Sequence, residues 1–375
     1  MQLTYKFRLY PREEQEQKLL WTLDKCRFVY NQMLAGLNGQ RKPNKYELKR
    51  QLPFLKEKYP ELKGVYSQAL QNEVYRLFWN LKSLSQLKEK GRKVGRLRFK
   101  GKGWFKTFTY PQSGFKIVET GRRLDILHLS KIGNVLIRMH RKVEGKVKTL
   151  TIKRHASGKW FACISVERDD EAERKPLRKA VGLDIGLRYF LTDSDGRQVE
   201  NPKFYKKSLQ RIRVEHQRLS RKKKGSRNRE RQRVRLARAY ENLVNQRDDF
   251  LHKLSRFYAE NYDIVAVENL NIKGMVRNHN LAGKILDASW GKFLHYLEYK
   301  AARAGVQVVN VSPRGTSRIY KHGELDRDYN ASLNILERGL SGMGQPFESV
   351  EMEPLRELIQ VSASSVVETG SPHHS

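Results

Sequence analysis

The sequence predicts a mixed α+β chain: a small N-terminal β-barrel, interrupted by a helical insertion and followed by an α/β domain on a mixed sheet. Three observations lead there. Residues 2–10 and about 94–168 alternate apolar and polar side chains with the period of strands. Residues from about 12 to 92 carry apolar residues at helical spacing instead. Beyond 179, short apolar runs that end in acids alternate with helical stretches.

Taken in order, Leu3, Tyr5, Phe7 and Leu9 share one face of a first strand and Thr4, Lys6, Arg8 and Tyr10 the other, with Pro11 ending it. A helix follows, with Leu19, Leu23, Cys26 and Tyr30 on one face, and a second covers SQALQNEVYRLFWNLKSL through Leu70, Val74, Leu77 and Leu81. The Lys-rich stretch between them reads as polar connection. RLRFKGKGWFKTFTYP alternates aromatic and basic residues, and KVKTLTIKRHASGKWFACISVER reads as a hairpin turning at Ala156-Ser157-Gly158. The barrel thus takes residues 1–12 and 94–175, and the insertion 13–93. The α/β domain takes 176–310 and 326–340. It holds strands KAVGLDIG, RYFLTDSDG, YDIVAVENLNI and AGVQVVNVSP, a basic helical pair over 203–260, and the helix of DRDYNASLNILERGL, packed through Ala331, Ile335 and Leu336. Residues 341–375, rich in Ser, Glu, Pro and Gly, read as a disordered tail.

Charge narrows the partners. With 75 Lys and Arg against 40 Asp and Glu, the net charge is +35, which calls for a polyanion and points to nucleic acid. Residues 203–238 hold sixteen Lys and Arg against Glu215 and Glu230. Like charges at that density repel along a helix unless a phosphate backbone neutralises them. Arg221, Lys222, Lys223, Lys224, Arg227, Arg231 and Arg235 are the candidate contacts there, and Lys6, Arg8, Lys102 and Lys106 those of the barrel. Tyr5, Phe7, Trp104, Phe105, Phe108 and Tyr110 are mostly core, with one or two free to stack on bases. The opening MQLTYKFRLYP has no apolar run of a signal peptide, and no stretch is long and apolar enough for a membrane span, so a cytoplasmic, nucleoid-associated location is expected.

Three acids stand at the ends of apolar elements: Asp184 in GLDIG, Glu268 in VENL and Asp328 in DRDYNAS. Any one could be an acid where a strand meets water. Together, in this order, they match the RNase H-like layout, in which a mixed sheet gathers carboxylates. Phosphodiester hydrolysis by two Mg²⁺ ions about 4 Å apart needs such hard oxygen ligands and no catalytic histidine. Asp184 would bridge the ions, with Glu268 and Asp328 holding one each. Asp326 competes for the third place; the DxNA pattern favours Asp328.

KFRLYP, SQALQ, GRLRFKGKG followed by FTYPQ, VGLDIGL, VVNVSPRGTS and LDRDYNASLNIL together resemble the blocks of the TnpB family, compact transposon relatives of type V CRISPR effector nucleases. The resemblance spans nearly the whole chain. It implies an oligonucleotide-binding-like, wedge-type barrel with a helical recognition insertion and a RuvC-like nuclease domain. It also implies a guide RNA, a double-stranded DNA target beside a short motif, and base pairing as the main source of specificity. One departure stands out. The family's zinc ribbon lies between the SPRGTS and DRDYNAS blocks, where this chain has only RIYKHGEL, so 311–325 reads as a shortened remnant. The only cysteines are Cys26 and Cys163, His322 reads as a surface residue, and no zinc is expected.

The expected function is Mg²⁺-dependent, RNA-guided cleavage of DNA by a protein that is monomeric, since one chain holds all three acids. The alternative is an RNA-guided DNA-binding protein, a repressor, whose cleavage is weak or lost with the ribbon. An integrating transposase would use the same acids, but the resemblance speaks against it.

Overall fold

The computed structural model describes residues 2–38, 44–168, 178–316 and 325–342. RIYKHGEL up to Glu324, His322 included, and the tail from 343 lie outside them. The chain divides into two units, Met1–Asp169 and Asp170–Ser375.

In the first unit, β1 (Gln2–Tyr10) leads into α1 (Glu13–Asn38), α2 (Lys45–Lys58), a 3₁₀ turn (Pro60–Gly64) and α3 (Ser67–Glu89). Six strands follow: β2 (Thr107–Tyr110), β3 (Phe115–Val118), β4 (Asp125–Leu129), β5 (Gly133–Arg138), β6 (Lys146–Arg154) and β7 (Trp160–Glu167). They form one antiparallel sheet in the order β2-β6-β7-β1-β5-β4-β3. The first strand of the chain is therefore its centre, with Tyr5, Phe7 and Leu9 opposite Ile164, Ala162 and Trp160 in a common core. The alternation read in residues 2–10 holds.

Three expectations are corrected here. The barrel is a curled half-barrel, because no ladder joins β2 to β3 among the described residues. The strand expected from 94 begins only at Thr107. Its upstream backbone is taken by α1 instead: Asn31 accepts from Lys100 N (2.8 Å) and donates to Lys100 O (3.0 Å), and Arg27 donates to the same carbonyl. The stretch taken as polar connection also holds a whole helix, α2. It is capped by Asn44, accepting from Tyr46 N at 2.9 Å, and anchored by Leu48 and Leu52 one turn apart. So few buried positions, with Pro53 inside, leave little periodic signal.

In the second unit, β8 (Ala180–Asp184), β9 (Tyr189–Asp193) and β10 (Gln198–Glu200) form a meander. Then come α4 (Phe204–Ser220), α5 (Arg227–Asn261), β11 (Ile264–Glu268), α6 (Ile272–Met275), α7 (His279–Ala288), α8 (Trp290–Ala304), β12 (Gln307–Val311) and α9 (Arg327–Ser341). The sheet order is β10-β9-β8-β11-β12, with β8, β11 and β12 parallel and the meander antiparallel. Both faces are covered, which is why these strands read as continuous apolar runs. Val181, Leu183, Val265 and Val267 pack with Leu251 and Tyr258 of α5 and Phe293 and Leu297 of α8. The intervening residues meet α9: Ile264 packs with Leu336 and Leu340, and Ala266 with Ile335. A Cβ on Gly182 would lie 2.7 Å from Leu336 N and closer still to Ser332 O. Only glycine lets α9 rest so tightly on β8.

Candidate carboxylate site and basic surfaces

Alternation carries the acids to one place. Asp184 lies two residues beyond Gly182, and Glu268 two beyond Ala266, so both project on the face that α9 covers. β8 and β11 are adjacent and parallel, with Leu183 beside Val267, so the two acids leave the same sheet edge. Asp328 stands in the first turn of α9, one turn before Ser332, the residue seated on Gly182.

The electrostatics follow from that convergence. Burial, and then the negative charges of Glu268 and Asp328, push the Asp184 carboxyl from its ordinary 3.8 up to about 7, against the opposing pull of Arg327 and the Ile185 amide. Glu268 is also raised by burial, while the Thr316 hydroxyl, which donates to its Oε1, and the charge of Arg338 pull it down. Directly opposite Asp184 in the β8–β9 ladder, Thr192 is buried, and its hydroxyl has no hydrogen-bond partner among the described residues. No three His, Cys, Asp or Glu side chains among the described residues are grouped closely enough, as they stand, to hold a metal ion.

Asp326 has a different occupation. It is the N-cap of α9, accepting from the backbone N–H of Asp328 (3.0 Å) and Tyr329 (3.4 Å), and it pairs with Arg188 at 3.7 Å. Its Oδ1 is thus engaged in starting the helix that presents Asp328, and its Oδ2 faces Arg188. A residue missed by sequence reasoning is Thr316, buried at 2% exposure and bonded to an acid 48 positions earlier. A small hydroxyl just beyond an apolar strand and a Pro-Arg-Gly turn was the only signal.

The basic candidates lie elsewhere. Arg221, Lys222, Lys223 and Lys224 are exposed in the connection between α4 and α5. Arg227, Arg231 and Arg235 are exposed one turn apart along α5, whose opposite stripe, Leu236, Ala239 and Leu243, packs on Ile212 of α4. None of these seven makes an ion pair among the described residues. In the first unit, Lys6 is exposed over the Phe161 ring at 4.3 Å. Arg8 is half-buried and donates to Trp160 O at 3.1 Å, and Lys102 and Lys106 are exposed. Tyr5, Phe7, Phe105, Phe108 and Tyr110 are core. Trp104 is not: it is 65% exposed, with Lys100 Nζ 5.0 Å from its ring. No described helix is long and apolar enough to cross a membrane.

Comparison with known proteins gives this geometry a setting. A family model described as "Probable transposase" matches residues 163–279, a "Helix-turn-helix domain" model residues 1–45, and a "Cas12f1-like, TNB domain" model residues 290–335. Residues 2–38 fold here as one strand and one unbroken helix, not as a helix-turn-helix. A Streptomyces pristinaespiralis protein named as an RNA-guided DNA endonuclease is 30% identical over 376 residues, covering 90% of this chain and 89% of its own. InsQ of Escherichia coli K12, named likewise, is 30% identical over 336 residues, 84% of this chain and 81% of its own. Among solved structures, the Cas12f1–sgRNA–target DNA complex aligns with a TM-score of 0.51 over 89% of this chain and 98% of that one. At 13% identity that likeness is one of fold.

Proposed function

The chain belongs to the TnpB family of transposon-associated endonucleases, and from that premise we propose that it takes up a guide RNA and cuts double-stranded DNA at a RuvC-like, two-metal site formed by Asp184, Glu268 and Asp328. The observation that carries the reading is the convergence of these acids: two leave one edge of adjacent parallel strands, and the third stands on the helix covering them.

The donor set suits Mg²⁺. It is all hard carboxylate oxygen, burial and then the charges of Glu268 and Asp328 raise Asp184, and the Thr192 hydroxyl opposite it has no partner among the described residues. When bound, such ions neutralise phosphate oxygens and acidify a water. The chain's own part is to present the acids. Asp184 is fixed by the β8–β9 ladder, Glu268 by Thr316, and Asp328 by the Asp326 cap and the seat of α9 on Gly182. The exposed Arg and Lys of α4, α5 and their connection would follow a nucleic-acid backbone without reading its sequence, and base pairing with the guide would supply specificity. Of the six aromatics, Trp104, exposed beside Lys100, would be the one to stack on a base. The protein acts as a monomer in the cytoplasm, with no zinc.

The name "transposase" and the name "endonuclease" part company on the fate of the DNA ends, since strand transfer and hydrolysis use the same acids. The test is to purify the protein with its native locus, sequence the RNA that comes with it, and incubate the complex with a DNA library in Mg²⁺ or EDTA. A discrete RNA with Mg²⁺-dependent cuts beside a fixed motif, abolished by Asp184→Ala with binding retained, supports the proposal. Specific binding without cuts supports the repressor, and joined transposon ends support the transposase. Heterogeneous RNA with no specific binding would refute guided action altogether.

A further inference from the structure

The loop after β12 is gripped by the helix that carries Asp328. Arg338 Nη1 donates to Ser312 O (3.0 Å) and Arg314 O (2.9 Å), and Asn334 Nδ2 donates to Thr316 O (2.8 Å). Asn334 and Arg338 are one turn apart, so one face of α9 holds the loop at both ends. The Thr316 side chain reaches the other way, to Glu268 Oε1. Its hydroxyl has one proton and two acceptors in reach, that carboxylate and Pro313 O at 3.2 Å. The shorter, charge-assisted bond takes it. Glu268 Oε2 then has no hydrogen-bond partner among the described residues.

Resting on the reading of Glu268 as a metal ligand, we propose that Thr316 is a positioning residue: its hydroxyl locks Glu268 through Oε1, leaves Oε2 for the metal, and ties that acid through Asn334 to the helix bearing Asp328. The strand-borne and helix-borne acids are then coupled by one chain of bonds, Glu268 to Thr316 to Asn334. Neighbours that orient a ligating group tune affinity without touching the ion.

A merely packed Thr316 makes the opposite forecast, which allows a clean test. Thr316→Val keeps the shape and loses the hydroxyl, Thr316→Ser keeps the hydroxyl and loses the methyl, and Thr316→Ala loses both. Mn²⁺ binding to the full-length chain is followed by loss of the free-ion EPR signal, with Glu268→Gln as reference and the EDTA melting midpoint as a check on folding. The expected order follows the hydroxyl: Thr316→Ser within about twofold of the parent, Thr316→Val and Thr316→Ala weaker on the order of tenfold. An order that follows volume, with Thr316→Ser weakened and Thr316→Val not, overturns the inference. So does a parent-like Thr316→Val when Glu268→Gln is weakened, and that result leaves the two-metal reading intact. If Glu268→Gln itself binds Mn²⁺ like the parent, Glu268 is no ligand, and both fall.

Discussion

Gly182→Ala adds one methyl group where the sheet and α9 touch. That carbon would lie 2.7 Å from Leu336 N and closer to Ser332 O, both atoms of helix backbone that cannot swing aside as a side chain would. An ordinary contact needs roughly 3.4 Å or more, so α9 must lift by about 1 Å. The stability cost is about 3 kcal/mol, the upper end for overpacking against rigid neighbours. The functional cost is larger, because Asp328 moves with the helix, and a displacement near 1 Å at reacting groups costs on the order of 100-fold in rate. Urea denaturation in EDTA measures the first, and nicking of a guide-matched plasmid in Mg²⁺ the second. Gly283→Ala is the control: it lies within α7 with nothing inside 4 Å of the added carbon, and alanine there is neutral or stabilising by up to about 1 kcal/mol. If Gly182→Ala unfolds at the parental midpoint and nicks at the parental rate, α9 does not lie on β8 as described.

Other outcomes follow from the same geometry. Because the Asp184 carboxyl is held near 7 in the folded chain, ionising it opposes folding; in EDTA, stability should fall as pH rises from about 4 to about 7 and level off above. Asp184→Asn should flatten that slope and gain on the order of 3 kcal/mol at pH 8, read by denaturation at pH 5 and 8; an unchanged slope would count against the buried cluster. Asp193 is fully buried and accepts from Tyr258 Oη (2.9 Å) and Arg197 N (2.9 Å), so Asp193→Ala should cost about 3–5 kcal/mol in urea, and a loss under 1 would show the network to be idle. Changing Arg227, Arg231 and Arg235 together to Gln should lower the slope of log affinity against log salt by about two to three for nucleic acid, with folding intact; an unchanged slope removes that face of α5 from the interface.

What could be read in the sequence was local. The alternation of β1 and the apolar runs that end in Asp184 and Glu268 belong to single segments, and their periods survive in the fold. What could not be read depends on partners far along the chain. The backbone at Lys100 fails to join the sheet because Asn31 and Arg27 claim it. α2 hides because two buried leucines and an internal proline leave no stripe. That Asp326 caps α9, its Oδ1 accepting from two backbone N–H groups, depends on where the helix starts, which no short pattern fixes. Thr316 escaped because its meaning lies in an acid on another strand.

The seat of α9 has a bearing on synthesis. Two acids emerge from the ribosome on β8 and β11, but the third arrives only with the last described helix, after every strand of the sheet has been made. A nascent chain therefore carries the basic helices α4 and α5 before its third acid has been made. On the proposed assignment, a chain still being translated would lack its third acid and could not yet cut.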